Sequence, residues 1–147
     1  SDVYKRQGIK DAIISQKETL FDGPMVTLVN KGTASASEIL AGSLQDNDRS
    51  ILMGEQTYGK GLIQSLKSLG EESGIAITVA SYLTPSGNNI QGRGIIPDKI
   101  LDIPDANEYG NAEDKWVKNA EIFLESILEK NLVSNKTNEV LEEKSEA

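Results

Sequence analysis

Two serines, a lysine and a glutamine are the residues whose types and spacing allow chemistry in this chain. Ser35 and Ser37 lie in Thr33-Ala34-Ser35-Ala36-Ser37, a run of small residues. An apolar stretch, Met25 to Val29, precedes the run, and a helical pattern opens after it at Glu38-Ile39-Leu40. A serine at a strand-to-helix turn sits beside backbone N–H groups that have no partner inside the helix. Such donors can hold a developing oxyanion, so the turn suits acyl transfer. A serine nucleophile also needs a base. The chain contains no histidine and no cysteine. A Ser-His-Asp triad, thiol catalysis and a Cys/His zinc site are therefore excluded within it, and no motif calls for a metal or cofactor. A lysine base is the remaining single-chain variant of the triad logic. Lys60 is the candidate: it stands between Gly59 and Gly61, which let backbone approach closely and let the amine be enclosed. Gln64 follows four positions later. The bland alternative has Thr33, Ser35 and Ser37 as helix caps and Lys60 as a solvated loop cation. Periodicity does not choose between Ser35 and Ser37.

These residues must be positioned by elements on either side. Asp22-Gly23-Pro24 signals a turn that launches a short buried strand over Met25–Val29. The helix after the serine run should extend to about Gln45, with Ile39, Leu40, Ser43 and Leu44 on its buried face. Gln45-Asp46-Asn47-Asp48 closes it with residues that tolerate turns. Ser50 to Met53 reads as the next strand. Leu62–Leu69 and Ile75–Tyr82 read as the arms of a hairpin around Gly70-Glu71-Glu72-Ser73-Gly74. The order is β-α-β-β-β, a mixed α/β core. Residues 104 to 130 read as a linker and then an amphipathic helix capped by Asp114. Its apolar stripe comprises Trp116, Ala120, Phe123, Leu124, Ile127 and Leu128. Residues 131–147 are polar and are expected to be a disordered tail. Residues 8 to 22 should form a short helix or strand and an exposed loop.

Composition narrows the function classes. The chain has 147 residues, one domain's worth, and 37% of them are hydrophobic, a low share for a packed core. Its formal net charge of −8 argues against nucleic acid as the partner. The charge is concentrated after residue 100, where 12 acidic residues face 5 basic ones, and this suits a solvated helix surface and tail. Apolar runs are only a few residues long, so neither a membrane span nor a signal peptide is visible.

Three segments then point to a family. Val29-Asn30-Lys31-Gly32-Thr33-Ala34-Ser35-Ala36-Ser37-Glu38-Ile39-Leu40-Ala41-Gly42 resembles the nucleophile segment of the C-terminal processing, or tail-specific, proteases. Gly54-Glu55-Gln56-Thr57-Tyr58-Gly59-Lys60-Gly61 resembles the segment carrying their general-base lysine. Tyr82-Leu83-Thr84-Pro85-Ser86-Gly87 and Ile90-Gln91-Gly92-Arg93-Gly94-Ile95-Ile96-Pro97-Asp98 resemble the end of their catalytic core. The resemblance implies a β-β-α crotonase/Clp-protease-like core, present in part over residues 8–103, with a C-terminal helical tail. It selects Ser35 as nucleophile and Lys60, 25 positions later, as base. The resemblance also implies that Gln64 aligns the lysine, and Asp46 matches a family position that often carries an acidic residue. A lysine base must be neutral, whereas free lysine holds its proton up to about pH 10. Burial away from carboxylates is the physical route to a neutral amine, and a neutral glutamine suits the neighbouring place.

The same resemblance sets the wider expectations. Its members carry an Asn-Pro-Gly-Gly type segment upstream that supplies an oxyanion-hole N–H, and a peptide-binding PDZ domain. Neither occurs in these residues, which leaves the Ala36 N–H as the oxyanion donor. Residues 1–7 do not match the family pattern and read as a non-native leader. The implied partner is a protein or peptide substrate with a free C-terminus. The implied setting is extracytoplasmic, a bacterial periplasm or a photosynthetic lumen, with peripheral membrane association of the parent. The implied activity is endopeptidase cleavage near that C-terminus through an acyl-enzyme. The competing reading is a silent fragment or a peptide-tail-binding module of the same fold. An enoyl-hydratase-like lyase shares the architecture alone.

Overall fold

A computed structural model describes residues 19, 21–103, 110, 111 and 113–145, together with two short strands near the start. These are β1 (Val3–Tyr4) and β2 (Lys10–Asp11), paired antiparallel. The rest of 1–18 and all of 104–109 lie outside the described residues, and with them most of the leader expected over 1–7, of the element expected over 8–22 and of the linker expected after 103.

The apolar stretch forms β3 (Val26–Val29), and the helix after the serine run is α1 (Ala36–Asp46). The chain then returns as β4 (Ile51–Gly54), parallel to β3, with Val26 opposite Ile51 and Val29 opposite Gly54. A parallel pair needs a crossover, and α1 provides it. Beyond it, β5 (Leu62–Ser68) and β6 (Gly74–Ser81) make the hairpin, with a register shift between Ile63 and Gln64. A loop over 82–98 brings β7 (Lys99–Ile100) alongside β4, giving a parallel sheet of order β3-β4-β7. The β-α-β-β-β order read from the sequence is thus the one present.

The core is small: Val29, Ala41, Leu52, Ile90 and Ile95 are buried together, with Tyr82 packed against them. One expected face needs correcting. The buried positions of α1 are Glu38, Ala41 and Gly42, whereas Leu40 is 62% exposed. Ala41 and Gly42 are small enough to let α1 sit close to the 84–95 segment. A full side chain there would collide, since a Cβ on Gly42 would lie 2.9 Å from Ile95 Cδ1.

The last helix, α2 (Lys115–Ser145), begins as expected at Asp114, whose Oδ1 accepts the N–H of Trp116 at 2.8 Å. Trp116 and Ala120 are buried. The Trp116 ring lies against Gly54, and its indole N–H donates to Asp102 O at 2.6 Å. Lys99 Nζ stands 4.3 Å from the centroid of Phe123. These contacts dock the start of α2 on the β3-β4-β7 sheet. The backbone stays helical to Ser145, past Asn131 where the tail was expected to loosen. No proline or glycine interrupts that stretch, so local propensity favours continuing the helix. Among the described residues no helix is long and apolar enough to cross a membrane.

Candidate active site

The site begins where β3 ends. Asn30 closes a tight turn: Thr33 N–H donates to its carbonyl at 2.9 Å, and Gly32 N–H donates to its Oδ1 at 2.9 Å. Two residues later the chain enters α1 through Ser35, which has φ 59° and ψ −122°. A non-glycine residue at positive φ is strained by about 1–3 kcal/mol and persists only where its surroundings over-determine it. Here the surroundings are specific. Ser35 O accepts from Glu38 N–H at 3.0 Å, and Ser35 N–H donates to Glu38 Oε2 at 3.0 Å. Ala36 is the first residue of α1, so its N–H is one of those without a partner inside the helix. Ser35 is half-buried, while Ala36 and Ser37 are exposed.

The lysine loop, residues 57–61, is bound to this turn by the same carboxylate. Glu38 is fully buried, with 0% of its surface exposed. Its Oε1 accepts from Thr57 Oγ1 at 2.5 Å and from Gly59 N–H at 2.6 Å. Its Oε2 accepts from Lys60 N–H at 2.8 Å as well as from Ser35 N–H. A direct backbone bond, Tyr58 N–H to Thr33 O at 2.9 Å, runs beside them. Burial pushes the Glu38 carboxyl up, but bonds from Thr57, Lys60, Gly59 and Ser35 outweigh it and hold the group below its ordinary value. An ionised carboxylate therefore joins the two segments that the sequence singled out.

A second layer supports the lysine loop from behind. Thr57 N–H donates to Ile95 O at 3.0 Å, and Ile95 N–H donates to Thr57 Oγ1 at 2.7 Å. Gly59 has φ 90°, and a Cβ there would meet Gly94 N at 2.8 Å. Only glycine fits both the conformation and the space.

In front of the loop is a cleft of about 540 Å³ whose walls include Ala34, Tyr58, Lys60, Leu62, Gln64 and Gln91. Lys60 and Gln64 thus share one cleft, and the residue before Ser35 borders it. Both side chains are exposed. This corrects the expectation that the flanking glycines enclose the amine: they serve the packing of the loop on 91–95 and leave the side chain in an open cleft. Asp46 is not in this cleft. It borders a separate one of about 550 Å³ with Gln45, Thr84 and Arg93. Its Oδ2 accepts from Ser86 N–H at 2.9 Å and Ser86 Oγ at 2.8 Å. Burial raises the Asp46 carboxyl, and bonds from Thr84 and Ser86 more than offset that, lowering it overall. Asp46 therefore clamps the 84–87 turn to the end of α1.

Glu38 is the residue that reading the sequence missed. A signal was present: Ser35 and Glu38 form the Ser-x-x-Glu pattern of a capping box. That pattern accounts for the bond to Ser35 N–H. It carries no hint of the three donors arriving from residues 57 to 60.

Known proteins share much of this sequence and fold. A model of peptidase family S41 matches residues 2–101, a span that takes in most of the segment set apart as a leader. The carboxyl-terminal-processing protease of Synechocystis sp. is 54% identical over 99 residues, covering 67% of this chain and 23% of that protein. The chloroplastic C-terminal processing peptidase of Tetradesmus obliquus is 50% identical over 97 residues, covering 65% and 21%. Among solved structures, a photosystem II D1 C-terminal processing protease superposes with a TM-score of 0.52 at 46% identity, over 62% of this chain and 26% of that one. The chain therefore spans about a quarter of the length of the relatives it matches.

Proposed function

The chain belongs to peptidase family S41, and from that premise we propose that it is the nucleophile-bearing part of a serine-type C-terminal processing protease with Ser35 as nucleophile and Lys60 as base. The observation that carries this reading is the shared carboxylate. Glu38 accepts from Ser35 N–H at 3.0 Å and from Lys60 N–H at 2.8 Å, so residues 25 positions apart are held by one group. Both bonds are to backbone N–H groups, so they fix where the two segments stand and leave the Ser35 and Lys60 side chains out of the link.

In the proposed reaction substrate filling the open cleft supplies the burial that the base needs, and Lys60 Nζ takes the Ser35 Oγ proton as Oγ bonds to the substrate carbonyl carbon. The carbonyl oxygen becomes an oxyanion facing Ala36 N–H. One such donor is worth about 2.7–4 kcal/mol in the transition state. The intermediate collapses, the C–N bond breaks, and protonated Lys60 returns its proton to the leaving amine. Water, activated by the same amine, then hydrolyses the Ser35 ester and releases the new carboxylate. Gln64 shares the cleft and orients the lysine without adding charge. The substrate class is protein or peptide ending in a free C-terminus, by analogy with the names of the relatives. Their chloroplastic and bacterial origins support an extracytoplasmic or lumenal setting.

The test is covalent capture. A small fluorophosphonate should modify Ser35 in this chain, as read by intact mass and peptide mapping. Ser35→Ala should abolish the adduct, Lys60→Ala and Lys60→Arg should each slow it at least about a hundredfold, and Ser37→Ala should keep it. Arginine fails because it cannot shed its proton. Equal labelling of Lys60→Ala and the unaltered chain would sink the mechanism.

A further inference from the structure

We propose that Gln91 holds the substrate backbone in the Lys60 cleft, and that Tyr58 and Leu62 receive an uncharged, apolar substrate side chain beside it. This inference rests on the Ser35/Lys60 reading and deepens it.

Gln91 belongs to none of the roles described so far, yet it is built into the cleft. Its Oε1 accepts from Gly61 N–H at 2.9 Å. Its own N–H donates to Asn89 Oδ1 at 2.9 Å, and the next residue, Gly92, donates to Gly59 O at 2.9 Å. The main chain at 90–91 presses on Gly61 so closely that a Cβ there would lie 2.9 Å from Gln91 N. Backbone and amide oxygen of Gln91 are thus both fixed against the lysine loop. A primary amide has one oxygen and two N–H donors. With the oxygen directed to Gly61, the Nε2 donors are left to the cleft that the residue borders. Donors held in this way suit a peptide carbonyl, because little ordering remains to be done on binding.

The remaining walls select a side chain. Tyr58 is 67% exposed and Leu62 is 38% exposed, although both stand on anchored backbone: Tyr58 N–H is bonded to Thr33 O, and Leu62 opens β5. Exposed apolar surface on a fixed frame is available for a ligand. Among the described residues no carboxylate borders the cleft. An acidic substrate side chain placed there would favour the protonated form of Lys60 and withdraw the base. The cleft therefore discriminates against Asp and Glu through the chemical step, even where binding is unimpaired.

Peptidyl diphenyl phosphonates test this on the 147-residue chain, with the small fluorophosphonate run in parallel. Each forms an ester on a serine Oγ with loss of phenol or fluoride. A leucine-like side chain should modify Ser35 at least about tenfold faster than a glutamate-like one. Gln91→Ala should lower the peptidyl rate about tenfold more than it lowers the fluorophosphonate rate, the loss of one hydrogen bond to ligand. Gln91→Glu keeps an oxygen for Gly61 and removes the N–H donors. Its carboxylate beside Lys60 should slow both reagents alike, and the peptidyl rate should still fall about tenfold further, which separates substrate holding from loop anchoring. Leu62→Ser should shrink the leucine preference. If the fluorophosphonate modifies Ser35 but both Gln91 variants leave the ratio of the two rates unchanged, the Gln91 assignment falls and the dyad stands. If neither reagent modifies Ser35, both fall.

Discussion

Replacing Glu38 by glutamine should unlock the site while changing the molecule by one functional group. Glu38 accepts four hydrogen bonds, two on each oxygen, at 2.5 to 3.0 Å. A glutamine oxygen can keep one pair. Its NH₂ then faces the other two donors, which lose their acceptor inside a buried space. A hydrogen bond to a charged group contributes about 1.5–3 kcal/mol, so two of them amount to about 3–6 kcal/mol. A domain's whole stability is on the order of 5–15 kcal/mol. Urea unfolding followed by the fluorescence of buried Trp116 reads that loss. Amide hydrogen exchange at Ser35, Gly59 and Lys60 reads its location: Ser35 and Lys60 share one oxygen and should lose protection together if the NH₂ faces them, and Gly59 should lose it if the NH₂ faces the other pair. The pH dependence adds a sign. The folded Glu38 carboxyl titrates below its ordinary 4.5, so the unfolded chain binds that proton more readily. Its stabilisation is complete above 4.5 and is lost as pH falls from there through the folded value. The Glu38→Gln chain should lack this acid-side component. A stability loss under about 1 kcal/mol, with those three amides as protected as before, would refute the account of Glu38 as the joint between the two segments.

Two further outcomes follow from the positions of Asp46 and α2. Asp46→Ala should free the 84–87 turn and cost about 1–3 kcal/mol in urea unfolding, because Ser86 N–H and Oγ lose their shared acceptor. Its rate of fluorophosphonate capture should stay within about twofold, since Asp46 borders a different cleft from Lys60; a loss matching that of Lys60→Ala would reassign it to the chemistry. Trp116→Ala should cost about 3–5 kcal/mol, from a lost ring in the core and a lost indole bond to Asp102 O. A chain cut before Asp114 should melt at a lower temperature by differential scanning calorimetry, and an unchanged melting point would mean that α2 contributes nothing to the fold.

What could be read from the sequence and what could not divide along one physical line. Apolar runs bounded by turn residues marked β3, β4 and the hairpin strands β5 and β6 to within a residue or two, because burial on a sheet imposes its pattern locally. Asp114 was legible as a cap for the same reason: its acceptor serves the next residues along the chain. Ser35 and Lys60 stood out through their setting, and the resemblance chose Ser35 over Ser37. The face of α1 went wrong. Helical periodicity weighs Leu40 as core and Glu38 as surface, and the structure reverses both. A buried carboxylate is unfavourable by several kcal/mol unless its oxygens are satisfied. Three of the donors that satisfy them belong to Thr57, Gly59 and Lys60, 19 to 22 positions away. No window over α1 contains that information. The same separation explains why the enclosure of Lys60 was misjudged. Gly59 and Gly61 do mark close approach, but what approaches is the backbone of residues 90–94. The lysine loop is thus gripped from two sides by main-chain and carboxylate contacts that leave its side chain out of the packing. On the proposed reading the rigid parts place Ser35 and Lys60, and the open cleft, with Tyr58, Leu62 and Gln91, is left to the substrate.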